Sequence, residues 1–279
     1  MRAEGSLASD RELASERSRP SSERSTKRQR SSESMTTRVQ MLFETCREVF
    51  ADGQAGNVPS PEDVDRLRFV LDNMNALDVG LAESMPYFRN IESGGTPPRI
   101  TYLHLCECDN FSIGIFCFPP SGVIPLHNHP GMTVFSKLLF GSLHIKSYDW
   151  VDIPQDSNYA IIPAHSVQPP GVRLAKVKTD AIFTAPCETS VLYPADGGNM
   201  HRFSARTSCA VLDVLGPPYS DSEGRPCTYY NDFPLATFPA AAVVAPGEDE
   251  DYAWLEEREK PDDFIVVGAR YRGPRIVES

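Results

Sequence analysis

Gly122-Val-Ile-Pro-Leu-His127-Asn-His129-Pro-Gly-Met132 is the stretch on which the reading of this chain turns. Residues i and i+2 of a strand point to one face, so His127 and His129 can converge on a single ion. Pro125 precedes the pair, and Pro130-Gly131 bounds it on the other side. A second patch, Tyr193-Pro-Ala-Asp-Gly-Gly-Asn-Met-His201, is a glycine turn ending in one histidine before an apolar strand. A barrel that pairs the two segments brings three imidazoles together. A lone His-x-His specifies little, since most histidines bind nothing. The two patterns together, the first running on to Gly141, are far more specific in an all-β context.

The surroundings are of that kind. From Ile100 onward the runs 100–106, 111–118, 132–139, 142–150, 178–184, 188–193 and 208–215 are rich in Ile, Val, Phe, Tyr and Leu. Pro, Gly, Asp and Asn separate them, which is the pattern of a sandwich or barrel. Residues 154–173, with four prolines, read as a long excursion that is either a lid or a surface loop. Tyr252–Leu255 and Phe264–Val267 are expected to close the C-terminal end of the sheet. Two helices precede the strands. Leu42, Cys46, Val49 and Phe50 share one helical face, and Gly53 can stop that helix. Ser60-Pro61-Glu62-Asp63 is a helix start, followed by the apolar stripe Val64, Leu67, Leu71 and Met74. Both helices are read as packing elements.

The 279 residues suffice for one full core plus a tail. Residues 1–38 hold no aromatic residue, many serines, and nine Lys/Arg against six acids; they read as a disordered basic tail before a domain over 39–279. Lys27-Arg28-Gln29-Arg30 is either a nuclear import signal or a solvated basic patch. The rest of the chain carries 18 Lys/Arg against 32 acids, which disfavours nucleic acid as a direct ligand. No stretch reaches membrane-helix length and no secretory signal is visible, so a cytoplasmic and nuclear protein without membrane association is expected. The seven cysteines are odd in number and irregularly spaced, which suits free thiols. His104, His144 and His165 lack a paired neighbour and read as ordinary histidines.

The two histidine patches resemble the two-motif signature of the cupin fold, a double-stranded β-helix or jelly-roll barrel. One departure matters: Thr133, Val134 and Phe135 stand where ordinary cupins carry a glutamate. The common iron oxygenase face is two histidines and a carboxylate; three neutral imidazoles are the mark of thiol dioxygenases. Further matched segments narrow the resemblance. Thr101-Tyr-Leu-His-Leu, His127 through Gly141, His144-Ile-Lys-Ser-Tyr-Asp-Trp150, Leu192 through His201 and Leu212-Asp-Val-Leu-Gly-Pro-Pro-Tyr219 look like the plant cysteine oxidases, relatives of animal cysteamine dioxygenase. The likeness runs from about Val39 almost to the C-terminus.

That resemblance implies Fe(II) on His127, His129 and His201. It implies oxidation by O2 of a protein's N-terminal cysteine to cysteine sulfinic acid, as in ethylene-response-factor transcription factors. The product feeds the arginine branch of the N-degron pathway, which makes the enzyme a hypoxia sensor. Asp213 matches an acidic pocket residue that can bond the substrate amine; the alternative is an ordinary sheet aspartate with a backbone partner. Tyr219 matches a pocket tyrosine; the alternative is a packed aromatic after Pro217-Pro218. Cys227 and Tyr229 match a thioether pair of the animal relative, against the plainer reading of a buried thiol. A monomer is the default. The rivals are a dioxygenase of a small thiol, cysteamine or cysteine, and a non-catalytic metal-binding cupin.

Overall fold

The computed structural model describes residues 36–89, 97–151, 171–238 and 251–278. Two helices lead the chain, and local chemistry starts each. The Thr37 hydroxyl accepts from the Gln40 amide ahead of α1 (Arg38–Val49), which buries Val39, Leu42, Phe43, Cys46 and Val49. The Ser60 hydroxyl accepts from the Asp63 amide ahead of α2 (Pro61–Asp72), with proline at the first helical position and Glu62 and Asp63 in the first turn. Val64, Leu67, Val70 and Leu71 form its buried stripe.

Twelve strands follow among the described residues: β1 (Ile100–Glu107), β2 (Ser112–Phe118), β3 (Val123–His127), β4 (Thr133–Phe140), β5 (Ser142–Trp150), β6 (Val172–Thr184), β7 (Ser190–Leu192), β8 (Met200–Ala205), β9 (Cys209–Gly216), β10 (Tyr229–Pro234), β11 (Tyr252–Arg258) and β12 (Val266–Ala269). Six of them form a sheet in the order β12-β1-β2-β9-β4-β7, and the other six close a barrel in the order β10-β11-β6-β5-β8-β3. The chain is mainly β, of the cupin jelly-roll type with N-terminal helices. No helix among the described residues is long and apolar enough to cross a membrane.

Strand alternation gives the open sheet two apolar faces. Phe135, Leu212 and Val214 point one way and join the core of α1 and α2. Leu138 and Val211 point the other way and pack with Leu143 and Phe203 of the barrel. The helices thus cover one face of the sheet, and the other lies against the barrel. His201 lines a small cavity between sheet and barrel, with Val134 and Ser136 on one side and Ser147 on the other.

Two details depart from expectation. β6 begins at Val172, so 172 and 173 belong to a strand and not to an excursion; Val172 and Leu174 are buried with Arg173 exposed between them, the period-2 pattern of a strand. Residues 152–170, with His165, lie outside the described residues, as do 1–35 with the Lys27–Arg30 cluster. The two C-terminal runs do not close one sheet. Tyr252–Leu255 joins the barrel through β11, whereas β12 pairs in parallel with β1 in the open sheet. Phe264 lies ahead of β12 and packs against the cluster that includes Ile100 and Phe118.

Candidate metal centre

β3 and β8 are antiparallel neighbours, and His127 stands opposite His201 in their register. Directly opposed residues point to the same face, so these two imidazoles converge because the barrel pairs their strands. His129 arrives differently. β3 ends at His127, and His129 sits in the turn that follows. Simple i, i+2 alternation along a strand therefore does not account for it. Pro130 cannot donate to a ladder, and Gly131 takes φ +67°, so the chain turns at this point. The turn still delivers the ring. Centroid distances are 4.9 Å for His127–His129, and 4.8 Å for both His127–His201 and His129–His201, a nearly equilateral triangle.

The hydrogen bonds decide which nitrogens face inward. His127 Nδ1 lies 2.8 Å from the Pro125 carbonyl, which only accepts, so Nδ1 carries the proton and Nε2 keeps its lone pair. Tyr219 donates its hydroxyl proton to the Asn128 carbonyl at 2.7 Å, which leaves its oxygen to accept from His129 Nδ1–H at 3.0 Å. Nε2 of His129 is thereby also a free base. It lies 3.3 Å from Nε2 of His201. Two imidazoles bound at about 2.1 Å to one ion, at angles between octahedral and tetrahedral, would hold their nitrogens about 3.0–3.4 Å apart. The spacing fits.

All three rings are buried, and burial keeps them neutral: His127 is pushed down to about 4, and His129 and His201 fall well below the usual histidine range. Neutral imidazole is the form a metal binds. Among the described residues this is the one group of three or more His, Cys, Asp or Glu side chains whose ligand atoms come together, within 4.8 Å of one another. No carboxylate enters the set. Of the residues standing in a cupin glutamate's place, Val134 lines a small cavity shared with His201, while Thr133 and Phe135 alternate to the helix-covered face. Donors, protonation and spacing all suit a divalent cation of the first transition row.

The PCO_ADO family model matches residues 70–276. The chain belongs to the PCO_ADO family. Plant cysteine oxidase 2 of Arabidopsis thaliana is 58% identical over 252 residues, covering 89% of this chain and 87% of its own. Plant cysteine oxidase 1 of the same organism is 57% identical over 86% of this chain and 80% of its own. The 2-aminoethanethiol dioxygenase of Homo sapiens is 31% identical over 77% of this chain and 82% of its own. This PCO_ADO member is an oxidoreductase of the thiol dioxygenase type.

Around the PCO_ADO histidines the remaining expected residues take definite places. Asp213 lies on β9 opposite Ser136 of β4 and is 5% exposed. Ser136 hydrogen-bonds its carboxyl, while Oδ1 has no partner among the described groups. Burial drives its pKa up to about 7. Asp213 is thus not a sheet aspartate satisfied by backbone. Tyr219 has its hydroxyl engaged by His129 and Asn128, and its ring also packs near Met132 and Val134. The Cys227 thiol lies close enough to Tyr219 and Tyr229 to interact with both, its own pKa raised mainly by burial, and all seven cysteines are free. His144 pairs with Asp180 at 2.7 Å, and His104 is exposed, so neither joins the site.

Two asparagines were not foreseen. The Asn128 side chain accepts from the Thr228 amide at 2.9 Å, fixing the turn to the approach of β10. Asn199 bonds the backbone of His129 itself. The only signal for either was position: each sits within two residues of a ligand-type histidine.

Proposed function

We propose that this chain is an iron-dependent dioxygenase of N-terminal cysteine, with His127, His129 and His201 as the metal ligands. The observation that carries this reading is the ligand set: three buried neutral imidazoles and no carboxylate. Such a face leaves an Fe(II) ion its full positive charge, which an incoming thiolate can offset. When bound there, iron would supply the meeting point of thiolate and O2, the four electrons coming from sulfur and both oxygen atoms ending in the sulfinic acid.

The protein's own groups do the rest. Pro125 and Tyr219 hold the proton on Nδ1 of His127 and His129, so that Nε2 of each stays a base. Asp213 offers a free buried oxygen, which can accept a hydrogen bond from the amine of an N-terminal cysteine and orient it. Tyr219 is assigned as a positioning residue, since its hydroxyl serves His129. Higher identity to the plant cysteine oxidases than to 2-aminoethanethiol dioxygenase favours cysteine over a small amine thiol. Proteins such as ethylene-response-factor transcription factors are the substrates we infer, with a role in the N-degron pathway and hypoxia sensing. We further propose a monomer acting in cytoplasm and nucleus, with Lys27-Arg28-Gln29-Arg30 as the import signal.

The test is direct. Iron-loaded protein is incubated under O2 with a peptide beginning in cysteine and followed by mass spectrometry. Two added oxygen atoms on the first residue, absent when the amine is acetylated, are expected. Oxidation of cysteamine but not of the peptide would overturn the substrate assignment. His201→Ala should lose both bound iron and turnover; full activity in that variant would remove His201 from the ligand set.

A further inference from the structure

Of the three histidines, only His129 stands outside the strand ladders. His127 and His201 are held by pairing between β3 and β8, and His201 is held again by β5, where Ser147 faces it. No strand ladder pairs His129 itself; within its own turn only the carbonyl is met, by the Met132 amide at 3.2 Å. A buried, unpaired N–H or C=O costs about as much as a lost hydrogen bond, so a partner for the amide must come from elsewhere.

Asn199 supplies the partner of the amide and a second partner for the carbonyl. Its Oδ1 accepts from the His129 amide at 3.1 Å, and its Nδ2 donates to the His129 carbonyl at 2.8 Å. The second hydrogen on Nδ2 goes to the Tyr193 carbonyl at 2.9 Å. The orientation of the carboxamide is fixed by these partners: reversed, it would set oxygen against two carbonyls and an NH2 group against an N–H. The side chain is buried and every donor on it is used.

The backbone of Asn199 is anchored in turn. Asp149 Oδ1 accepts from the amides of Gly198 at 2.8 Å and Asn199 at 3.1 Å. Gly198 has φ +87°, and a Cβ there would lie 2.7 Å from Cβ of Ser147. Glycine lets the turn press against β5, the strand that carries Ser147 opposite His201. One end of Asn199 is therefore tied to a neighbour of His201, and the other end grips His129.

We infer that Asn199 is a positioning residue: its carboxamide replaces the missing strand neighbour of His129 and holds that ring at the distance from His201 that a shared ion requires. It acts through His129 and does not itself meet the reacting atoms. The inference rests on the three histidines being a metal centre and is independent of which thiol is oxidised.

Metal binding tests it without reference to turnover. Full-length protein is stripped of metal, and its affinities for Co(II) and, anaerobically, Fe(II) are measured, with the visible Co(II) spectrum reporting ligand geometry. Asn199→Asp keeps the shape but loses both donors; Asn199→Ala removes the carboxamide. Both are expected to weaken binding by about tenfold to a hundredfold and to shift the Co(II) bands, the range typical for partners that orient metal ligands. A purely architectural role would lower the stability of the metal-free protein and leave affinity and spectrum unchanged; affinity within about twofold of wild type overturns the inference. Asp149→Ala, which loosens only the anchor, is expected to weaken binding by at least about threefold, and decides the matter if the Asn199 variants do not fold. A wild-type protein that binds both ions yet leaves a cysteine peptide untouched would sink the substrate reading and leave the role of Asn199 standing.

Discussion

Asp213 shows what a single buried carboxyl costs. Its folded pKa is raised to about 7 by burial, with one oxygen unpartnered. The unfolded chain ionises this carboxyl near pH 4, so between about pH 4 and 7 the folded metal-free protein binds the extra proton. The penalty is absent below that window and complete above it, about 4 kcal/mol for a shift of about 3 units. A carboxamide of the same shape would carry no such penalty, because it does not ionise. Metal-free Asp213→Asn is therefore expected to be more stable than wild type at pH 8 by about 2–4 kcal/mol, the gain disappearing by pH 4. Urea unfolding at the two pH values measures it; equal stability at both would show that the carboxyl is not strained. The same substitution is expected to impair oxidation of a cysteine peptide.

At the scale of elements, Lys137 is the telling case. It is 5% exposed, on the β4 face that packs against the helices. Its Nζ donates to the Asp72 carboxylate at 3.1 Å and to the Cys187 carbonyl at 2.6 Å. The same Asp72 oxygen accepts from the amide and hydroxyl of Thr189. Burial alone would raise the Asp72 pKa, and the bonds from Thr189 and Lys137 reverse this and hold it below the ordinary value. The end of α2, the middle of β4 and the approach to β7 are thus pinned by one ion pair. Lys137→Met is expected to cost about 2–3 kcal/mol in urea unfolding, less than a fully buried pair because Asp72 is partly exposed. A loss under about 0.5 kcal/mol would mean that the pin contributes little. The apolar stripes of α1 and α2 were legible in the sequence because periodicity records which face is buried. Lys137 was not, since a lysine in a strand reads as solvent-facing until its acidic partner, 65 residues away, is placed beside it. The end of β3 and the start of β6 were likewise hidden, for a strand's limits depend on neighbours that the chain brings from far off. The three histidines were legible through motifs, yet the reason His129 reaches the others lies in Asn199 and Tyr219, whose contacts are tertiary.

For the molecule as a whole, the centre and the fold share a pH dependence. His127 is lowered to about 4, and His129 and His201 lie well below the usual range, all by burial. The unfolded chain protonates each near pH 6.5, whereas the folded one protonates His127 only near pH 4 and the other two well below their ordinary range, so stability falls as pH drops below about 6.5. Each site contributes a slope of up to about 1.4 kcal/mol per pH unit. Asp213 acts in the opposite sense over part of the same range. In the metal-free protein, His127→Gln is expected to flatten the stability profile between about pH 4.5 and 6 by roughly 1 kcal/mol per unit. An unchanged slope there would mean that this imidazole charges freely in the folded state.

The barrel is completed by one ladder pair between β10 and β3, Tyr229 opposite His127, with the Asn128–Thr228 bonds just beyond it, whereas β5 and β6 run together for most of their length. A ring stitched so unevenly will part at its thinnest seam, and that seam runs through a histidine of the cup. Opening of the circumference there would free one flank of His127, the other being held by β8. A cation shared with β8 and the turn would rivet the weakest joint shut, so occupancy of the centre and closure of the ring should rise and fall together.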